Sequence, residues 1–299
     1  MKHIEIVEVG PRDGFQNQKT YIPVENKRQI IDAIARSGVH SIQVTSFVSP
    51  KAMPQMADAA EVAAYAVERY PDLFLCALAP NLRGAQNAWN AGIRAISYVV
   101  SLSLSHNKAN INRTHEQSMA EFLNIKNTLP ELRVSLDLAT AFGCPFDGKH
   151  SVQEVVDFVG AYVDAGVDDV DLCDTIGVGN PKQVRDVICA LKAAFPALEL
   201  QVHIHDTRNM GMVNTLAAIE AGVAKCQSTL GGLGGCPFAP GASGNLATED
   251  LVYMLNDMGY DTGVDAEALI QAARLERELL GKGNFSGHHM NIEKSVCTG

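Results

Sequence analysis

Eight short runs rich in β-branched and aliphatic residues recur along the 299-residue chain, at 4–9, 41–46, 73–79, 95–100, 133–139, 169–174, 200–206 and 225–230. They begin roughly 22–38 residues apart, the spacing of strand–helix units. Amphipathic stretches fill the intervals. In residues 27–37, Ile30, Ile31 and Ile34 form a helical stripe, and Gly38 stops it. The same helix–glycine–strand punctuation returns at Gly92, Gly166 and Gly222. Parallel strands need crossover helices, so eight such units predict a closed (β/α)8 TIM barrel. An open doubly wound sheet is the alternative, but no GxGxxG follows the first run, which weakens its dinucleotide-binding form. A typical barrel needs about 250 residues. The surplus falls at the C-terminus, so residues 1–299 read as one barrel domain with 260–299 as a C-terminal extension, helical near 266–280.

Composition narrows the function. Lys plus Arg number 24 and Asp plus Glu 34, a net charge of −10, which argues against nucleic-acid binding. No run of about 18 apolar residues predicts a membrane span. The N-terminus lacks a basic segment followed by an apolar one, so no secretion signal is expected. Seven cysteines, an odd number without a CxxC pair, suggest free thiols in a reducing cytoplasm rather than disulfides or structural zinc.

A barrel places its active site at the C-terminal ends of its strands. There His203 and His205 end the seventh run, two apart and so on the same side of a strand. Asp13 follows the first run and can add a hard oxygen. Two imidazoles and a carboxylate suit a divalent ion with open positions for substrate. Arg12, beside Asp13, can face a developing oxyanion. The bland alternatives are a solvated turn and two polar residues bonding neighbouring strands. Residues 231–237 (GGLGGCP) form a glycine-rich segment that can carry Cys236 over the site. Roughly 3% of an unperturbed thiol is ionised at pH 7, so Cys236 is better cast as a proton donor than as a nucleophile. Asn245 lies where a further oxygen ligand could reach the metal. His288 and His289 read as a solvated pair.

The segments EVGPRDGFQNQK (8–19), TSFVSPKAMPQMAD (45–58), DTIGVG (174–179), HIHDT (203–207) and GGLGGCPFAPGASGNLATEDLVYML (231–255) resemble the 3-hydroxy-3-methylglutaryl-CoA lyase family of TIM-barrel metallolyases. The resemblance spans nearly the whole chain. It implies cleavage of a branched 3-hydroxyacyl-CoA to acetyl-CoA and a keto acid, as in leucine degradation and ketone-body metabolism. It implies Mg2+ or Mn2+ held by Asp13, His203, His205 and Asn245, with Arg12 stabilising the thioester enolate and Lys19 holding acyl-CoA. It further implies His203 and Cys236 in proton transfer, Asp174 in support, a redox-sensitive thiol at Cys297, and a homo-oligomer.

This chain departs from the family pattern around that core. Gln43 stands where the family places Glu, Gln18 and Gln227 where acids are common, Leu104 where a Glu is common, and Arg208-Asn209 where Tyr-Gly is usual. These changes suggest an acyl group with a different branch or an extra carboxylate, met by Gln43 and Arg208. A condensing enzyme running the chemistry in reverse, and a metal-binding sensor without catalysis, are the competing functions.

Overall fold

The computed structural model describes residues 2–235, 244–281 and 283–292. Eight strands form a closed, wholly parallel barrel in chain order: β1 (Glu5–Glu8), β2 (Ser41–Ser46), β3 (Phe74–Leu78), β4 (Ala95–Ser101), β5 (Arg133–Ala139), β6 (Asp169–Asp174), β7 (Glu199–Ile204) and β8 (Lys225–Ser228). β8 pairs back onto β1, which excludes the open doubly wound sheet. All eight runs expected from sequence are strands, with ends shifted by a residue or two.

Helices α1 (Val24–Arg36), α2 (Ala59–Arg69) and α3 (Leu82–Asn90) follow the first three strands. After β4 come α4 (Leu104–Ile111) and α5 (His115–Thr128), and then α6 (Val152–Asp164), α7 (Pro181–Ala194), α8 (Gly211–Glu220) and α9 (Thr248–Asp257) follow the remaining strands in turn. Local chemistry marks their starts. Thr114 with Gln117, and Ser151 with Glu154, form complete capping boxes, while Asn180 caps α7 ahead of Pro181. Each such cap contributes about 1 kcal/mol. The ends are marked by Gly38, Gly92, Gly166 and Gly222, with φ of 89°, 93°, 85° and 104°. At Gly38 a Cβ would lie 2.6 Å from the Gly263 carbonyl oxygen, so the position is closed to side chains twice over.

The main apolar core lies between sheet and helices. Val134, Leu136 and Leu138 of β5, Val170 and Leu172 of β6, and Val202 and Ile204 of β7 are buried against the helical layer, which offers Ile30, Ile31 and Ile34 from α1 and Val184, Ile188 and Leu191 from α7. Each fully buried aliphatic side chain contributes about 1.5–3 kcal/mol. The alternate residues point into the barrel. There β5 places Arg133, Ser135 and Asp137, β6 places Asp169, Asp171 and Cys173, and β7 places Gln201 and His203. The lumen is therefore polar, unlike the layers of branched aliphatics that usually fill such barrels.

One helix has no counterpart in the sequence reading. Residues 101–112, after β4, contain α4, started by Ser103 accepting from the His106 amide at 3.0 Å and ended by Asn112 at φ 53°. The turns of α4 bury His106 and Asn107 rather than an aliphatic stripe, so no periodic signal announces the helix. The expected C-terminal helix is α10 (Ala266–Leu280), packed on α1, with the Asn26 amide donating to the Leu279 carbonyl at 3.3 Å. Residues 283–292 then return under the glycine-rich segment, where the Ser286 and Gly287 amides donate to Gly231 at 3.0 and 2.9 Å. No helix among the described residues is long and apolar enough to cross a membrane.

Candidate metal centre and acyl pocket

The chain leaves β1 through a single π-helical turn, Gly10–Gly14, in which the Asp13 and Arg12 amides both donate to the Val9 carbonyl, at 2.7 and 3.0 Å. Pro11 fits the start of this turn because it has no N–H to leave unpaired. The turn swings Arg12 and Asp13 back over the barrel mouth, where they are 7% and 6% exposed. Glu8 anchors it from below. One carboxylate oxygen accepts from the Gly10 and Leu230 amides at 2.7 and 2.9 Å, and the other from the Thr248 hydroxyl at 2.6 Å. Burial pushes the Glu8 carboxyl up to about 7, against these hydrogen bonds.

Across the mouth, β7 presents His203 and the residue after it in the alternation, His205, as expected. One ligating atom each from Asp13, His203 and His205 lie within 4.8 Å of one another, all buried. The Nδ1 of His203 meets Gln227 Oε1 at 3.0 Å, which leaves Nε2 as its lone-pair nitrogen. That nitrogen faces the Nε2 of His205 at 3.0 Å. Two imidazole nitrogens this close need a proton or a cation between them. Burial, and then His205, push His203 down to about 3. Burial lowers His205 as well. Both rings are thus neutral at pH 7, the state in which imidazole binds a metal. For Asp13, burial works upward, but Arg12, His203, His205 and the Asn245 hydrogen bond together hold the carboxyl below its usual range.

Asn245 completes the group. Its amide nitrogen donates to Asp13 Oδ2 at 2.6 Å, while its Oδ1 is buried without a hydrogen-bond partner among the described residues. Such an orphaned oxygen is costly to bury. Beside an anionic carboxylate and two neutral imidazoles, it fits a bound divalent cation in donor type and in charge. The residues present therefore suit the expected metal.

Arg12 is ion-paired to Asp13 Oδ1 and donates from Nε to Gln43 Oε1. Gln43 in turn donates to the Ser97 hydroxyl at 2.7 Å. Gln43 is fully buried behind Arg12 and acts on it, not on the open cavity. Arg12, Asp13, His203 and His205 line one cavity of about 540 Å³, together with Asp137 and Asp171. Gly235 also lines it and accepts from the Asn17 amide at 3.3 Å, so the glycine-rich segment enters beside the metal ligands.

The other expected residues fall elsewhere. Lys19 is exposed at the end of the β1 loop. Arg208 is exposed and donates to the Ile176 and Gly177 carbonyls at 2.7 and 3.1 Å, bracing the loop after β6. Asp174 is buried and accepts from the Val178 and Gly179 amides, both at 2.9 Å, shaping the same loop. His288 is solvent-exposed, as expected, while His289 is half-buried; both Nδ1 atoms bond Asp250, at 2.9 and 2.7 Å. Cys236 and Cys297 lie outside the described residues. Sequence reasoning did not single out Glu8, Asp137 or Asp171. For the two aspartates a signal was present: the alternation RVSLDLA and DVDLCD turns polar residues toward the lumen.

Fold and site together define a (β/α)8 barrel with a mixed nitrogen–oxygen metal site at its C-terminal mouth. The HMGL-like family model matches residues 3–275, and the chain belongs to that family. A hydroxymethylglutaryl-CoA lyase of Bacillus subtilis is 40% identical over 283 residues, 94% of either chain. A crystal structure of a Bacillus subtilis HMG-CoA lyase superposes with a TM-score of 0.92 at 39% identity, covering 97% of both chains. An HMG-CoA lyase from Acinetobacter baumannii, in complex with coenzyme A and 3-methylmalate, superposes with a TM-score of 0.90 at 39% identity, again over 97% of both.

Proposed function

We propose that the chain is a divalent-metal-dependent carbon–carbon lyase that cleaves 3-hydroxy-3-methylglutaryl-CoA, or a closely related branched 3-hydroxyacyl-CoA, to acetyl-CoA and a keto acid such as acetoacetate. The observation that carries this reading is the buried Asp13–His203–His205 cluster with Arg12 beside it in one cavity. The kinship with named HMG-CoA lyases over nearly the full chain supports it.

Asp13, His203, His205 and Asn245 would hold Mg2+ or Mn2+. When bound, the ion supplies Lewis-acid polarisation of substrate oxygens. The remaining work falls to side chains. As the C2–C3 bond breaks, negative charge moves onto the thioester oxygen, and the Arg12 guanidinium offsets it. Gln43 and Asp13 fix that guanidinium from two sides, so it need not reorganise during the reaction. Cys236 would deliver the proton to C2, and His203 would take part in proton transfer at the 3-hydroxyl. Lys19, exposed at the rim, would meet the coenzyme A portion. A cytoplasmic homo-oligomer completes the reading, and the free thiols Cys76, Cys144, Cys173, Cys189 and Cys226 fit a reducing compartment.

The test is a coupled assay with 3-hydroxy-3-methylglutaryl-CoA and Mg2+ or Mn2+, with and without chelator, and product identification by mass. Metal-dependent release of acetyl-CoA and acetoacetate is expected. Folded, metal-loaded protein that releases neither from this substrate nor from other branched 3-hydroxyacyl-CoAs would overturn the reading.

A further inference from the structure

The floor of the cavity carries two acids that the chemistry above leaves unused. Asp137 on β5 and Asp171 on β6 are direct partners in the barrel register. Neighbouring strands lie about 4.8 Å apart, and both side chains point inward, so the two carboxyl groups stand side by side. They are 3% and 0% exposed and line the same cavity as Arg12, Asp13, His203 and His205. Each is held from one side only. Asp137 bonds Ser97, and Asp171 accepts from the Cys173 thiol at 3.7 Å. The Oδ1 of each has no hydrogen-bond partner among the described residues.

Two adjacent carboxyl groups in a desolvated site do not both ionise. Burial first, and in each case the charge of neighbouring acids, push Asp137 up to about 7 and Asp171 well above the usual carboxylate range, with Arg12 pulling the other way. The pair therefore offers one O–H donor together with free acceptor oxygens. The ligand group that answers both is a hydroxyl, which donates and accepts at once. A methyl would leave the Oδ1 atoms unpaired, and a further carboxylate would meet two acids.

We propose that Asp137 and Asp171 form an acyl-branch subsite that selects a 3-hydroxyacyl-CoA whose C3 branch carries a hydroxyl in place of a plain methyl. This rests on the lyase reading and narrows its substrate class. A site built to hydrogen-bond a substrate hydroxyl discriminates strongly against the analogue that lacks it.

The experiment compares 3-hydroxy-3-methylglutaryl-CoA with its 3-hydroxymethyl counterpart on the metal-loaded full chain. Wild-type protein is expected to prefer the hydroxymethyl compound by at least about 10-fold in kcat/KM. The Asp137→Leu/Asp171→Ala variant is expected to lose or reverse that preference. The Asp137→Asn/Asp171→Asn variant, near-isosteric and still able to donate and accept, is expected to keep most of it, and serves if the first variant does not fold. Equal kcat/KM for the two compounds in wild type, or an Asp137→Leu/Asp171→Ala variant that slows both equally, would overturn the subsite. Should wild type cleave neither compound, the lyase reading fails separately. The subsite is then read by calorimetric binding of the two acyl-CoAs, where a 10-fold tighter hydroxymethyl compound supports it and equal affinities overturn it.

Discussion

The two mouths of this barrel are built from the same alternating strands and end in opposite electrostatic conditions. At the N-terminal mouth the charges pair. Arg133 bridges Asp169 and Glu199, both at 2.8 Å, and Lys225 bridges Glu5 and Glu199 at 3.2 and 3.1 Å. Gln201 and Ser135 occupy the remaining oxygen of Asp169. At the C-terminal mouth Arg12 faces Asp13, Asp137 and Asp171, and oxygens of Asn245, Asp137, Asp171 and Ser46 are buried without partners among the described residues. Burying a polar group costs little only when it is paired. The lower mouth has met that condition with its own side chains. The upper mouth leaves it to a cation and a substrate. One end of the lumen holds the barrel closed, and the other is stabilised by what it binds.

The largest expected effect breaks the upper mouth. Asp13→Asn keeps the volume and removes the one anionic ligand. Even residues that merely orient a metal ligand cost about 10–100-fold in affinity or activity when changed, so loss of the ligand itself should cost at least about 100-fold in both. Mn2+ binding followed by electron paramagnetic resonance, alongside turnover, checks this. An unchanged Mn2+ affinity would remove Asp13 from the metal site.

The lower mouth should respond in stability and not in chemistry. Arg133→Met leaves Asp169, 2% exposed, without its cation. Because the Arg133 side chain is 38% exposed, solvent screens part of the pair. The expected loss is about 1–3 kcal/mol, between the values for surface and for buried pairs. Urea unfolding measures the loss, and turnover per folded molecule should stay at the wild-type level. A drop in turnover with stability unchanged would show that the two ends are not separable in this way.

How much of this difference was legible in the chain depends on the kind of signal. The eight strands were, because a barrel strand is a compact local pattern, often announced by a glycine with positive φ that ends the helix before it, as at Gly38 and Gly222. Arg12, Asp13, His203 and His205 were, because a charged or ligating group at the end of an apolar run has few structural reasons to be there. Asp137 and Asp171 were written in the alternation of their strands, but their consequence needs the register that sets them side by side. Gln43 could be seen as a change from the family pattern, yet its position behind Arg12 follows only from the packing. Glu8, Glu249 and Glu276 gave no local signal at all. They come from β1, α9 and α10, and only the closed fold brings these buried acids to act on one another beneath the glycine-rich segment.

Those three acids supply the smallest expected effect and extend the contrast beneath the upper mouth. Glu249 is 1% exposed and accepts from the Gly231 amide at 2.9 Å. Burial, then the charges of Asp250 and Glu8, push its carboxyl up from 4.5 to about 8. The folded chain therefore keeps a proton that the unfolded chain releases near its ordinary value. The stability this carboxyl contributes is complete at low pH, falls as pH rises through this window, and levels off above about 8. Glu249→Gln mimics the protonated side chain and still accepts from Gly231, so it should flatten the decline. The segment can relax when the carboxylate ionises, and the recovered stability at pH 9 relative to pH 5 is expected to be about 1 kcal/mol. Urea midpoints at the two pH values give the slope directly. Glu8 and Glu276 remain titratable, so a residual slope is expected. An Arg133→Met control should lower both midpoints together. If Glu249→Gln left the slope of the wild-type chain unchanged, the buried acids under the glycine-rich segment would not be the source of the pH dependence.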